Sequence, residues 1–192
     1  MKKISLMVMV ALAACSFQAC KSNKDSKETA DSVNAAKDTA NAVNAGMAVA
    51  EDDAKFAVNA ANGGMAEVAL GKLAQGKAVS AKVKEFANMM VMDHSKANDE
   101  LMALAKTKNI TLPDSVGMDE KKEMDELSKK SGKAFDKAYV NAMVDGHKKA
   151  VNLFEDGSKN LKDADLKAFA DKTLPVIKGH LERINAIHDS MK

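Results

Sequence analysis

The chain is poor in rings: it has no tryptophan, a single tyrosine (Tyr139) and 4% aromatic residues over 192 positions. A surface that stacks nucleic-acid bases needs several exposed rings, so no nucleic-acid partner is expected. There are two cysteines, Cys15 and Cys20, both near the N-terminus. The remainder of the chain must therefore hold its core without disulfides. Charge of one sign is also missing. The 29 basic residues exceed the 27 acidic ones by two, and Lys2 and Lys3 account for that excess. A neutral, mixed surface argues against nucleic acid or anionic lipid as the main partner. No apolar run approaches the ~18 residues of a spanning helix. There is no G-x-S-x-G elbow, phosphate-binding glycine loop, Cys-x-x-Cys or His-Glu-x-x-His. No nucleophile can be paired with a base, and no reaction is assigned from sequence.

What the N-terminus does carry is an export signal. Lys2 and Lys3 precede an apolar run from Leu6 to Leu12, which ends in Leu12-Ala13-Ala14-Cys15. Basic, apolar and then small residues is the order of a secretory signal. The cysteine placed after Leu-Ala-Ala resembles a bacterial lipobox, with Cys15 as the lipidated residue and 1–14 as the signal peptide. Cys20 is the rival acceptor, but Phe17-Gln18-Ala19 before it fits the small-residue rule less well. Ser16, rather than Asp, follows Cys15, which favours the outer membrane over retention on the inner one. The mature protein is expected to be anchored in the cell envelope, on the periplasmic side or the surface, with the membrane as a partner through its lipid. Residues 15–50 hold almost nothing large and apolar and read as a flexible tether. Alanines between Ala30 and Ala45 can support a transient helix.

From Glu51 to the end, residues 51–192 form one domain in which apolar residues repeat at helical spacing. The first helix, about 51–76, opens on Glu51-Asp52-Asp53 and has the seam Phe56, Ala60, Gly63, Glu67, Leu70, Ala74. The second, about 80–108, can be capped by Ser80 and carries Val83, Ala87, Met90, His94, Ala97, Leu101. A short helix, about 119–131, follows the break at Pro113 and stops at Gly132. The fourth, about 133–158, carries Phe135, Tyr139, Met143, His147, Phe154. The last, about 164–190, carries Leu166, Ala170, Ile177, His180, Ile184 and contains Pro175. No segment alternates with period two. The pattern predicts an all-α four-helix bundle with a short extra helix in the crossover.

Each long seam has one strongly polar residue: Glu67, His94, His147 and His180. A carboxylate or imidazole without a partner is costly to bury, and inward-facing groups of this kind are how bundles build metal sites. Counting at ~1.5 Å per residue from the bundle end puts the four in the same half with a spread of about 9 Å. Two neighbouring pairs and one shared transition-metal centre both fit that spread. A shared centre requires ligand atoms no more than about 6 Å apart. Glu67 and Asp93 can alternatively serve to orient the imidazoles. Met90 and Met143 each lie one turn before a histidine, a thioether–imidazole pairing suited to Cu(I); methionine is also a common core filler. His188 reads as a solvated imidazole at a helix end. Gly63, Gly64 and Gly146 either let helices approach or clear room beside Glu67 and His147.

Several runs together resemble a known family: Gly63-Gly64-Met65-Ala66-Glu67-Val68, Asp93-His94 with Lys96-Ala97-Asn98, Asn109-Ile110-Thr111-Leu112-Pro113, Phe135-Asp136 with Tyr139, and Leu174-Pro175 ahead of His180-Leu181. Over about residues 52–188 the chain is similar to the domain-of-unknown-function family 4142, often described as a predicted outer-membrane protein. The resemblance implies a ferritin-like bundle in a bacterial envelope protein and implies no activity. Ferritin-like di-iron proteins use Glu-x-x-His pairs, but Val91, Val144 and Ile177 stand three residues before the seam histidines. Iron storage and di-iron oxygen chemistry are therefore not expected. Two functions follow from the sequence. One is a non-enzymatic envelope lipoprotein that binds a protein or envelope polymer, or serves in stress tolerance. The other is a metal-binding, redox-capable module using Glu67, His94, His147 and His180.

Overall fold

A computed structural model of the chain describes residues 25–42, the side chains of 39–42 excepted, and residues 49–191. The lipobox, with Cys15 and Cys20, lies outside the described residues. Six α-helices and no strand occur among them: α1 (Ser26–Ala42), α2 (Glu51–Lys77), α3 (Ala81–Thr107), α4 (Met118–Ser128), α5 (Gly132–Asn160) and α6 (Ala164–Asp189). No described helix is long and apolar enough to cross a membrane.

The four long helices enclose the core, and their apolar seams are the ones the sequence spacing predicts. They form two hairpins, α2–α3 and α5–α6, and the packing is completed by α2 against α5 and α3 against α6. Two apolar clusters fill the interior. One joins the end of α2 (Leu70, Ala74) to the starts of α3 (Val83, Phe86) and α5 (Phe135, Tyr139) and the end of α6 (Ile184). The other joins the start of α2 (Phe56, Ala57) to the end of α3 (Leu101), the end of α5 (Phe154) and the start of α6 (Leu166, Phe169). It follows that α3 and α5 run parallel, and that the connection through α4 travels the length of the assembly. Fully burying each large side chain contributes about 1.5–3 kcal/mol.

Buried carboxylates lock the two hairpins together. Asp136 near the start of α5 accepts hydrogen bonds from Val79 N (3.1 Å) and Ser80 N (2.8 Å) in the α2–α3 turn. Asp53 near the start of α2 accepts from Lys162 N (3.2 Å) and Asp163 N (2.6 Å) in the α5–α6 turn. The two braces are related by one offset of 83 residues, 53 to 136, 79 to 162 and 80 to 163. The hairpins thus pack as a pseudo-symmetric pair, each holding the other's turn.

Three local expectations are corrected. Ser80 occupies the N-cap position of α3, but its side chain makes no cap hydrogen bond; the carboxylate of Asp136 reaches that turn instead. Gly132 does not end α4, which stops at Ser128. It is the first residue of α5, at φ +57°. Within the segment read as a flexible tether, 26–42 is a helix, and it packs on α2. Ala30 is buried. Asn34 bonds both backbone groups of Thr111, accepting from its N–H and donating to its C=O, each at 2.8 Å. One amide side chain thereby substitutes for a backbone partner, which no hydrophobic pattern reveals.

Glycines set the approach of α2 to α3. A Cβ at Gly71 would stand 2.9 Å from Val91 Cγ2 and 3.1 Å from the carbonyl oxygen of Ala87. One at Gly64 would meet Asn98 Oδ1 at 2.1 Å.

Two stability predictions follow from these contacts. Asp136→Ala leaves two amide donors in the α2–α3 turn without their acceptor, and a loss of about 2–3 kcal/mol is expected in denaturant unfolding. Asp163 caps α6 through Asp165 N and Leu166 N and pairs with Lys108 at 2.7 Å. Burial pushes its carboxyl up, but the Lys108 hydrogen bond and the capping amides outweigh it and hold it below the usual range. Its stabilisation is therefore present above the ordinary aspartate value and disappears as pH falls through the lower folded-state value. The gap in unfolding free energy between the parent and Asp163→Asn should be full at pH 7 and close in that acidic window.

Candidate metal centre

Between the two apolar clusters lies a layer of four buried ionisable side chains, one from each long helix. Glu67 comes from α2, His94 from α3, His147 from α5 and His180 from α6, with exposures of 7%, 6%, 0% and 4%. The imidazole centroids are 5.7 Å apart for His94–His147, 5.3 Å for His94–His180 and 5.6 Å for His147–His180. The predicted spread of about 9 Å along the axis is thus absent at the side-chain level. The physical reason is the lean of helical side chains toward their own N-terminus. In α3 and α5 that lean is toward one end of the molecule, and in antiparallel α2 and α6 toward the other, so residues at different heights meet in one layer.

Each imidazole is anchored on its outer side. His94 Nδ1 lies 3.0 Å from Glu67 Oε2. His147 Nδ1 lies 2.8 Å from the carbonyl oxygen of Met143, with Glu67 Oε1 farther off at 3.4 Å. His180 Nε2 lies 2.9 Å from Asp93 Oδ2. Ionised carboxylates and carbonyls only accept hydrogen bonds. The nitrogen facing each of them therefore carries the proton, and in the neutral ring the opposite nitrogen bears the lone pair. Those opposite nitrogens, His94 Nε2, His147 Nε2 and His180 Nδ1, are buried and have no hydrogen-bond partner. The three histidines offer one ring nitrogen each within 4.8 Å of the others.

The electrostatics agree with this division for His147 and His180, and favour the charged ring for His94. Burial alone would raise the Glu67 carboxyl, but the charge and hydrogen bond of His94, with help from His147 and His180, hold it below its usual range. Burial pushes His94 down, yet Glu67 more than compensates and leaves it above the usual imidazole value. For His147 and His180 burial prevails over the carboxylates, and both sit below that value. At neutral pH those two rings are kept uncharged, the form in which imidazole binds a metal.

All four seam residues are therefore brought together, with different roles. The three histidines converge, whereas Glu67 stands behind two of the rings, on their protonated nitrogens. Asp93 does for His180 what Glu67 does for His94. It is one position before His94, about 100° round α3, which turns it toward α6. The Met143 carbonyl carries no signal in sequence, since any residue there would supply one. Met90 and Met143 are buried in the apolar cluster that also holds Phe86; Phe86 lies against the His147 ring at 5.9 Å. His188 stays at the end of α6, beside Asp189. A cavity of about 340 Å³ is lined by Glu67 and His94.

Comparison with solved structures gives matches in fold. CopM in its Cu(I)-bound form is 15% identical, with a TM-score of 0.62 over 72% of this chain and 96% of CopM. Its Cu(II)-bound form is 14% identical, with a TM-score of 0.63 over 73% and 97%. A DUF305 fragment from Deinococcus radiodurans is 9% identical, with a TM-score of 0.66 over 74% and 98%. At these identities the likeness is one of fold alone. No curated protein matches the chain in sequence. The sequence profile described as a domain of unknown function, DUF4142, matches residues 38–187, and the chain belongs to that family.

Proposed function

We propose that this chain is a lipid-anchored cell-envelope protein whose long helices, arranged as a ferritin-like four-helix bundle, hold a transition-metal ion between His94, His147 and His180. Two observations carry the reading: the three histidines each offer a ring nitrogen within 4.8 Å of the others, and every ring has one buried nitrogen without a partner while the opposite nitrogen is tied down. Burying three unsatisfied acceptors is costly, and one cation placed among them satisfies all three. Nitrogens on one tetrahedral ion at about 2.0–2.1 Å stand about 3.4 Å apart, so small side-chain rotations complete the site. Glu67, Asp93 and the Met143 carbonyl are then the outer partners that fix ring orientation, as in carboxylate–histidine–metal arrangements.

Imidazole suits zinc, copper, iron and nickel. Copper is the ion to test first, for two reasons. Met90 and Met143 put soft thioethers one turn from two of the ligands, and the fold is similar to that of CopM, which binds copper as Cu(I) and Cu(II). A bound copper ion supplies one-electron redox capacity. The chain's own contribution is a dry, pre-oriented imidazole set. No carboxylate stands among the converging atoms, which separates this centre from carboxylate-rich di-iron sites. A non-enzymatic binding role fits the lack of any nucleophile–base pair.

Metal titration with element analysis tests the centre. About one copper per chain is expected. His147→Ala and His180→Ala should each reduce retained copper to less than about a tenth, and Asp93→Ala should weaken binding about 10–100-fold. Unchanged copper content in both histidine variants would leave the layer as a hydrogen-bonded polar core. For the anchor, Cys15→Ser should move the protein from the membrane to the soluble fraction. Release by Cys20→Ser alone would reassign the lipid to Cys20.

A further inference from the structure

The cavity beside the histidine layer has features that the metal reading does not use. Its volume of about 340 Å³ falls in the range of small-molecule sites. Leu101, Phe154 and Phe169 form an apolar wall, Lys149 and Glu123 stand at the exposed mouth, and Glu67 forms the floor. His94 lines it, but His147 and His180 do not. The cavity therefore meets the layer at Glu67 and His94 and not at His147 or His180.

Two glycines hold it open. A Cβ at Gly63 would meet nothing within 4 Å, and one at Gly146 would meet only Glu67 Oε1 at 3.9 Å. Each costs its helix about 1 kcal/mol relative to alanine. Helix packing explains Gly64 and Gly71, whose added Cβ atoms would collide with α3, but it does not explain these two. Gly63 and Gly146 are also equivalent positions in the two hairpins, separated by the same 83 residues as Asp53 and Asp136. The floor has spare acceptor capacity as well. Glu67 Oε2 is engaged by His94 at 3.0 Å. His147 Nδ1 directs its proton to Met143 at 2.8 Å and leaves Glu67 Oε1 at 3.4 Å. A carboxylate oxygen can accept two hydrogen bonds, and Oε1 is the atom nearest the space above Gly146.

We propose that this cavity is a binding site for a compact organic molecule with an apolar body and one N–H or O–H donor, an amine or an alcohol, which donates to Glu67 Oε1. The apolar wall receives the body and the carboxylate selects the head. At the Glu67 floor a carboxylate head is disfavoured, because it brings no donor and a like charge; Lys27 and Lys149, which also line the cavity, could hold one only away from Gly146. The site does not depend on a bound metal, and its test is run on the metal-free full chain.

Benzylamine, benzyl alcohol and benzoate serve as probes, with NMR following the backbone amides of Gly63, Gly64 and Gly146 during titration to about 10 mM. The amine and the alcohol should give saturable shifts at these positions, with benzoate at least about tenfold weaker. Gly63→Leu and Gly146→Leu, which fill the space from opposite helices, should each abolish saturation. Gly76→Leu, at an exposed helical glycine outside the cavity, should leave it intact. Circular dichroism and melting confirm that each variant is folded, and Gly63→Leu, with no atom in its way, provides the test if Gly146→Leu is unstable. The proposal is overturned if no probe saturates, if benzoate binds as well as benzylamine, or if Gly63→Leu binds as Gly76→Leu does.

Discussion

Everything in this fold must accommodate one layer in which a carboxylate and three imidazoles are buried among apolar side chains. Stranding any of these groups would cost several kcal/mol. The layer survives because its hydrogen bonds are distributed outward: Glu67 serves His94, Asp93 serves His180, and the α5 backbone serves His147. That arrangement fixes ring orientation and divides the core into two apolar clusters. It also leaves one buried nitrogen of each ring without a hydrogen-bond partner.

The frame around the layer is built from two hairpins that clasp each other through Asp53 and Asp136. Because each carboxylate holds the turn of the opposite hairpin, neither hairpin can slide along the other without breaking charged hydrogen bonds. This constraint keeps four residues from four helices at one level, with three imidazoles offering ring nitrogens within 4.8 Å of one another. The site itself does not follow the pseudo-symmetry. At the 83-residue offset, Gly64 is the counterpart of His147 and Ala97 that of His180, while Ala150 and Ile177 are the counterparts of Glu67 and His94. The buried ionisable layer occupies positions where the two halves differ, while the braces and the cavity glycines occupy positions where they agree.

The helices were legible because their burial is one-sided. Seams such as Phe135-Tyr139-Met143-His147 and Leu166-Ala170-Ile177-His180 repeat every three or four residues, and the structure buries those faces. The candidate site was legible for the same reason, since an ionisable residue in an apolar seam has to find a partner. Other features left weaker traces. Over residues 26–38 the first helix buries Ala30 and Asn34, so its hydrophobic pattern is faint, and side-chain hydrogen bonds help to dock it. Asp53 and Asp136 look like ordinary acidic residues near the start of a helix; their partners are 109 and 57 residues away.

By itself, the sequence determined the all-helical class, the four seams, the family and the residues that had to meet, because periodicity and the cost of burying charge are local properties. The tertiary structure alone decided how they meet. Antiparallel neighbours lean their side chains toward each other, which merges two apparent levels into one layer. The same geometry sends the Glu67 oxygens to the outer nitrogens of His94 and His147 and leaves one buried nitrogen of each of the three rings without a partner. Which side of an imidazole carries its proton depends on a partner from another helix or another turn, and no spacing along the chain encodes that.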